Sequence, residues 1–326
     1  MINKRYLKVI LGILIIVLIL VLLPFAIPIR IYNPIAGVYF ELHGTYAVSV
    51  DYTKQAVDIP SHFLLRPVTE TSTVGVRSKG SQIVEEINIP DTVKKINGGS
   101  FSGYNFLKKV AGAKNVEVIG YSAFRSDDYL VEIPVFERIR EIEDYAFDSC
   151  NLQTIKIPST LEKIGEAAFA YNNISKLDVD LNKVELGSAV FKDNPFQNEM
   201  GEFAIYPDGS LQCYNGSKAK IVIPESVIAI SGAFDDYEND NQCIEIYIPE
   251  TVESIKNWSF WIGTEARVFV PDSIEYIEDF KNAEGQCAFY EDEVTIVTTK
   301  GSYAEEFAKK YNIDYEIVDE IVIPED

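Results

Sequence analysis

Only two histidines occur in the 326-residue chain, His43 and His62. A Ser-His-Asp triad, a Cys-His pair or a His-rich metal centre needs imidazole beside its partners. Both histidines precede the regular part of the sequence, so neither carries a catalytic assignment. No G-x-x-x-x-G-K-[ST] or G-x-G-x-x-G motif supports phosphate binding. The four cysteines, Cys150, Cys213, Cys243 and Cys287, form no C-x-x-C pair, which argues against zinc or redox chemistry. Cys150 reads as a small buried hydrophobe. A Cys213–Cys243 disulfide suits an oxidising compartment, but the spacing does not demand it. No catalytic residue and no cofactor is expected.

Two other groups could bind something. Asp235, Asp236, Glu238 and Asp240 are the candidate metal ligands, since hard oxygen donors at this density suit calcium. The run lacks the EF-hand glycine, and Tyr247 stands at the position of the twelfth-residue glutamate. A solvated loop is the competing reading. Trp258 and Trp261 are the only tryptophans, and with Tyr237 and Tyr247 they are the candidate binding residues. Such rings serve as protein-binding anchors or sugar-stacking platforms. The alternative is that the indoles pack beneath a hairpin or a C-terminal cap.

Charge and hydropathy locate these residues. The chain has 29 Lys plus Arg against 50 Asp plus Glu, a net charge of −21. Nucleic acid is therefore not an expected partner, because phosphate recognition needs a basic footprint. Residues 235–326 hold 24 acids and 6 bases, whereas residues 1–30 hold four bases and no acid. Residues 9–29 are uncharged, long enough at ~1.5 Å per residue to cross a bilayer core of ~30 Å. Three bases precede that stretch. The expected location is a cell membrane crossed once, with the N-terminus cytoplasmic and the remainder extracellular. Secretion after signal cleavage is the alternative, although Leu23-Pro24-Phe25-Ala26-Ile27-Pro28 offers a poor cleavage site.

The remainder is repetitive. An Ile-Pro step ends at Pro90, Pro134, Pro158, Pro224 and Pro249, and a small-Phe step ends at Phe101, Phe124, Phe147, Phe169, Phe234 and Phe260. Val190-Phe191 is a looser copy. From Phe101 to Phe191 the phenylalanines lie 23, 23, 22 and 22 residues apart, and the next gap is 43. Ile155 and Ile157 alternate with polar residues, as in a strand with one buried face. Pro158 ends that strand. Leu161 and Ile164 turn the chain inward, Gly165 permits a tight bend, and Phe169 fills the interior. One coil cannot bury its own faces, whereas stacked coils can, so the expectation is a solenoid. Alignment of the copies puts Trp258 in the slot of Ala167.

Residues 152–169 closely match L-x-x-I-x-I-P-x-x-V-x-x-I-G-x-x-A-F. The sequence thereby resembles the BspA-like, or Treponema-type, leucine-rich repeats of bacterial surface proteins. The likeness spans roughly residues 36–318, although Asn97 and Glu143 replace the glycine and the coils around Phe191 and Phe280 are degenerate. The resemblance implies a β-rich leucine-rich-repeat solenoid of coils of about 22–25 residues, with adhesion or protein–protein recognition as its role.

The 43-residue gap contains Asp208-Gly209 between two apolar runs, a hairpin signal, and Asn215-Gly216 follows it. Ser302 to Glu305 forms a capping box. Tyr303, Phe307 and Tyr311 follow with i, i+4 spacing, which predicts a helix covering the last coil with all three rings. The organisation is therefore a basic tail (1–8), a transmembrane signal-anchor (9–29), entry strands (30–56), a first repeat stack (57–199), a hairpin (200–217), a second stack (218–300) and a cap with an acidic tail (301–326). The expected partners are the bilayer through residues 9–29 and a protein or glycan outside. A scaffold subunit of a membrane or cell-wall complex is the alternative function. A cell-surface hydrolase is more remote, since 50 acids make chance carboxylate pairs common.

Overall fold

In a computed structural model, the described residues are 29–33, 38–43, 45–50, 55–63, 66–71, 83–178, 180–234, 237, 243–278, 288–289 and 293–324. For residues 29–50 only the backbone is described. The anchor expected at 9–29 lies almost wholly outside this set, as do Cys287 and the carboxylates Asp235, Asp236, Glu238 and Asp240. Among the described residues no helix is long and apolar enough to cross a membrane, and no group of three His, Cys, Asp or Glu could hold a metal ion.

The described residues wind into a β-solenoid of about nine turns. In each stack most coils give one strand to a parallel sheet on each of two faces. Short strands such as Lys95–Ile96, Val118–Ile119, Glu141–Ile142, Lys163–Ile164 and Glu185–Leu186 pair in sequence along one face. Their isoleucines and leucine point inward and are buried. Strands of the Ile-x-Ile-Pro segment, such as Thr154–Lys156 and Lys176–Asp178, pair along the other. The coil of Pro134 contributes only a single bridge there, between Lys109 and Glu132. Pro90, Pro158, Pro224 and Pro249 each accept a turn N–H from the residue three positions on, so proline both ends the strand and starts the turn.

Between the sheets runs a column of aromatic rings. Phe101, Phe124, Phe147, Phe169 and Phe191 stack with centroids 5.1–5.6 Å apart, all nearly fully buried. Tyr206 covers Phe191 at 6.0 Å. A second column runs through Tyr214, Phe234, Phe260, Phe289 and Phe307. Phe289 therefore takes the last coil's ladder position, from an Ala288-Phe289 step that the repeat comparison did not pick out.

The hairpin forms from Phe203–Ile205 and Ser210–Tyr214, antiparallel, with Asp208 accepting from the N–H and hydroxyl of Ser210. Its second strand has a further role. It pairs in parallel with Ala229–Ile230 and so forms the first rung of the second stack.

Two local expectations need correction. Gly165 is not in the positive-φ region. It is required because a Cβ there would lie 2.5 Å from Asp144 N and 2.8 Å from the Glu143 carbonyl carbon, where neighbouring coils touch. At the C-terminus the helix Tyr303–Tyr311 is capped by Ser302, whose hydroxyl accepts from Glu305 N at 3.0 Å. Its covered stripe is Ala304, Phe307 and Ala308, while Tyr303 is exposed, because the first helical residue faces away from the last coil. Cys213 and Cys243, whose pairing the spacing left open, are free thiols, and Cys150 is free and buried, as its place in the repeat implies.

Candidate binding site

Among the described residues, the coils turn in the same manner before the ladder rings from Phe101 to Phe260. The residue two before that ring has a left-handed backbone: Gly99 (φ 64°), Ser122 (52°), Tyr145 (58°), Ala167 (49°), Ala189 (51°), Gly232 (77°) and Trp258 (63°). This conformation aims alternate N–H groups along the solenoid axis. Tyr145 N donates to Glu166 O (2.8 Å), Phe147 N to Ala168 O (2.8 Å) and Ser149 N to Ala170 O (3.0 Å). Coils are thus joined by backbone bonds along the turns as well as along the sheets. A left-handed residue bearing a Cβ costs about 1–2 kcal/mol, and a bulky one marks a position worth explaining.

Trp258 and Tyr145 are the two large aromatics at this position, with Ala167, Ala189 and Gly232 on the coils between them. The small residues leave a trough. One part has a volume of about 540 Å³ and is lined by Tyr121, Arg125, Glu166, Lys256, Trp258 and Tyr276 among others. An adjoining slot of about 190 Å³ has Ala167, Ala170 and Ala189 among its lining residues, together with Tyr145, Tyr171 and Trp258. Tyr121 and Tyr276 are about half exposed at 52% and 48%.

Charged groups hold the trough in shape. Glu166 accepts from the Trp258 indole N–H at 2.7 Å and from the Tyr145 hydroxyl. Burial raises the Glu166 carboxyl above its ordinary value, and the two donors oppose that rise. Burial and the neighbouring Glu166 both push the Tyr145 hydroxyl up. Lys256 Nζ donates to the Leu186 carbonyl at 3.0 Å. Arg125 pairs with Asp148 at 2.8 Å and lies over the Tyr145 ring at 5.1 Å. Trp, Tyr and Arg side chains converging on a preformed depression make the composition of a protein-contact hot spot.

The structure treats the four proposed binding residues differently. Trp258 lies in the trough, and Trp261 packs beside it with ring centroids 5.3 Å apart. Trp258 reaches back to Glu166 in the first stack, its indole N–H donating at 2.7 Å. Tyr237 lies elsewhere, against Tyr214 and Phe234. Tyr247 is buried on the other sheet and stacks on Phe269 at 4.2 Å. Its hydroxyl donates to Glu245, and burial pushes its pKa up to about 12. Sequence reasoning missed Arg125, Tyr145 and Glu166. Tyr145 was visible in principle, because it occupies the same repeat slot as Trp258.

The repeated turn, the parallel rungs and the aromatic column define one repeat type. Six copies of the BspA type leucine rich repeat region match residues 79–198 and 210–302, well over half of the chain. The chain belongs to this family. The gap between the matched blocks, residues 199–209, covers the first hairpin strand and its turn. Among solved structures, this BspA-type protein is similar to a leucine-rich repeat protein from Eubacterium ventriosum, with 16% identity over 84% of this chain and 73% of that one, TM-score 0.48. It is also similar to one from Bacteroides ovatus, with 16% identity over 88% of this chain and 65% of that one, TM-score 0.43. The pneumococcal vaccine antigen PcpA matches with 14% identity over 90% of this chain and all of that one, TM-score 0.40. The BspA-type chain spans less than two thirds of the Bacteroides ovatus protein. No curated protein sequence matches it.

Proposed function

We propose that this leucine-rich-repeat chain is displayed on a cell surface, held by residues 9–29, and binds a protein partner through the trough around Trp258. The observation that carries this reading is a tryptophan in a left-handed turn position, facing Tyr145 across an alanine-lined slot with Arg125 and the exposed Tyr121 alongside. A partner side chain entering the slot would be desolvated between aromatic walls, and the half-exposed tyrosines would form the surrounding contact. The uncharged residues 9–29 behind three bases support the surface location, and the −18 charge of residues 235–326 disfavours an anionic partner at that end.

The test is capture of partners by the full chain from matrix proteins and from its own membrane fraction, repeated with Tyr121→Ala and Trp258→Ala. Tyr121→Ala removes an exposed ring and leaves the joint to Glu166 in place. Loss of a foreign partner with both variants supports recognition and adhesion. Partners confined to its own membrane fraction support the scaffold role instead. Undiminished capture by both variants removes the trough from consideration.

A further inference from the structure

The second stack ends on an open strand. Tyr315–Val318 follows the capping helix and pairs in parallel with Val294–Thr299. It is the outermost of five strands, and among the described residues no strand lies beyond it. The register decides which of its backbone groups are used. Ile296 stands opposite Tyr315, and Ile296 N donates to Asp314 O at 2.9 Å. A parallel ladder then continues through Glu316 and Val318 and turns the N–H and C=O of Tyr315 and Ile317 to the open side. Among the described residues no backbone group bonds them there.

The side chains show the same incompleteness. Across the sheet, Tyr315 continues the column of Ile221, Ile246, Val268 and Ile296, and Ile317 continues that of Ile248, Val270 and Thr298. Every earlier member of both columns is buried, yet Tyr315 is 39% and Ile317 44% exposed. Two core positions of the sheet thus face solvent beside four open backbone groups, which is a template for another strand.

Charge selects among the strands that could fill it. Residues 312–326 hold six acids and no base. Asp314, Glu316, Asp319 and Glu320 are exposed. Arg267 is bonded to Glu245 and Glu316, and Lys309, which lies over the Tyr315 ring, is bonded to Glu305. Elsewhere neighbouring coils are matched by opposite charge: Lys108 with Glu85 at 2.8 Å, Lys109 with Glu86 at 2.9 Å and Arg267 with Glu245 at 3.3 Å. The same matching across this edge calls for a basic strand. A second copy of the chain would set acid against acid, which disfavours self-pairing.

We propose that this edge takes up an extended segment of a partner protein in which apolar and basic residues alternate. Its backbone bonds to Tyr315 and Ile317, its apolar residues cover those two side chains, and its basic residues meet Asp314 and Glu316 on the other face. The acids exclude a second copy and admit the basic strand. The surface shares no residue with the trough around Trp258.

The experiment is a fluorescence-anisotropy titration of the detergent-solubilised full chain with labelled synthetic nonapeptides. One alternates lysine and valine, one alternates glutamate and valine, and the third is the lysine–valine peptide with its backbone amides N-methylated. The lysine–valine peptide should bind saturably with a Kd of roughly 1 mM or tighter. The glutamate–valine peptide should bind at least roughly tenfold more weakly, and N-methylation should abolish binding by removing the peptide's donors. Ile317→Pro removes an outward N–H and leaves the ladder groups of Glu316 and Val318 in place, so it should weaken binding roughly threefold to tenfold. Asp314→Lys combined with Asp319→Lys, both at exposed positions, should reverse the preference between the first two peptides. That variant decides the matter if Ile317→Pro does not fold. The proposal is overturned if the lysine–valine peptide does not bind, if either control peptide binds as well, or if the folded variants bind unchanged. It is overturned too if sedimentation shows a dimer that Ile317→Pro dissociates, because the edge then serves a second copy.

Discussion

Glu166 and Trp258 stand 92 residues apart and share a 2.7 Å hydrogen bond across the joint between the two stacks. Because Tyr145 donates to the same carboxylate, the bond ties two left-handed turn residues to one acceptor. With Lys256 on the Leu186 carbonyl, it resists hinging where the hairpin interrupts the coils.

Trp258→Phe keeps an aromatic wall but removes the indole donor. Hydrogen bonds to a charged group contribute about 1.5–3 kcal/mol, and that range sets the expected loss of unfolding free energy in urea. The slope of the transition should stay near the parent value if the stacks still unfold together. A variant as stable as the parent would mean that the bond does not contribute to the joint.

Asp127 stands three residues after Phe124, in the slot that Asn172 and Asn194 fill after Phe169 and Phe191. It is fully buried, one carboxyl oxygen accepts from Tyr104 N at 2.7 Å, and the other has no partner. Burial raises its carboxyl well above the ordinary range, against the Tyr104 N–H. Between the unfolded value near ~3.9 and the raised folded value, the native state holds a proton that the unfolded state has lost. This group's contribution to stability is therefore full below that window and falls as pH rises through it. Asp127→Asn should remove the fall and stabilise the protein at pH 8 by about 1–3 kcal/mol, the cost of an unsatisfied buried group. The gain should shrink as pH approaches ~4. Urea titrations at several pH values read both, and a gain independent of pH would contradict the assignment.

The fold was legible because its two strongest signals, the Ile-Pro step and the small-Phe step, are set by chain-local physics. Pro158 must end a strand, and Phe169 must fill a space that Ala168 leaves open. The trough was only half legible. Trp258 stood out by type, but its partner Glu166 is one of 50 acids and becomes distinctive only when the coils stack. The left-handed turn was hidden as well, since Tyr145, Ala167 and Trp258 share a conformation and no side-chain chemistry. The amide pair Asn172 and Asn194 had a readable spacing of 22, yet its earlier slots hold Tyr104, Asp127 and Cys150, which masked the repeat.

Phe147 lies between Phe124 and Phe169, stacked on both at 5.1 and 5.2 Å. Phe147→Ala removes both contacts and leaves a cavity in a site that the parallel rungs prevent from collapsing. Truncations of this kind cost about 3–5 kcal/mol. In a solenoid, stability is a sum of coil and interface contributions, so the loss should concentrate in amides of residues 124–169. Hydrogen exchange should show protection falling there first, with the strands Ile244–Tyr247 and Ala266–Phe269 nearly unchanged. Uniform loss across both stacks would show that the joint transmits unfolding from one to the other.

Gly165 and Gly103 make a paired test of why glycine occurs here. A Cβ on Gly165 would meet Asp144 N at 2.5 Å and the Glu143 carbonyl carbon at 2.8 Å, both backbone. A Cβ on Gly103 would meet nothing within 4 Å, although its φ is +74°. Gly103→Ala should therefore cost only the left-handed strain, about 1–2 kcal/mol. Gly165→Ala must push two coils apart, and overpacking of that kind costs about 1–3 kcal/mol or more. It should also weaken the adjoining bond from Gly165 N to Ile142 O, now 2.7 Å, and so speed exchange of that amide. Equal losses without faster exchange at Gly165 would return the glycine to the role of a bend former.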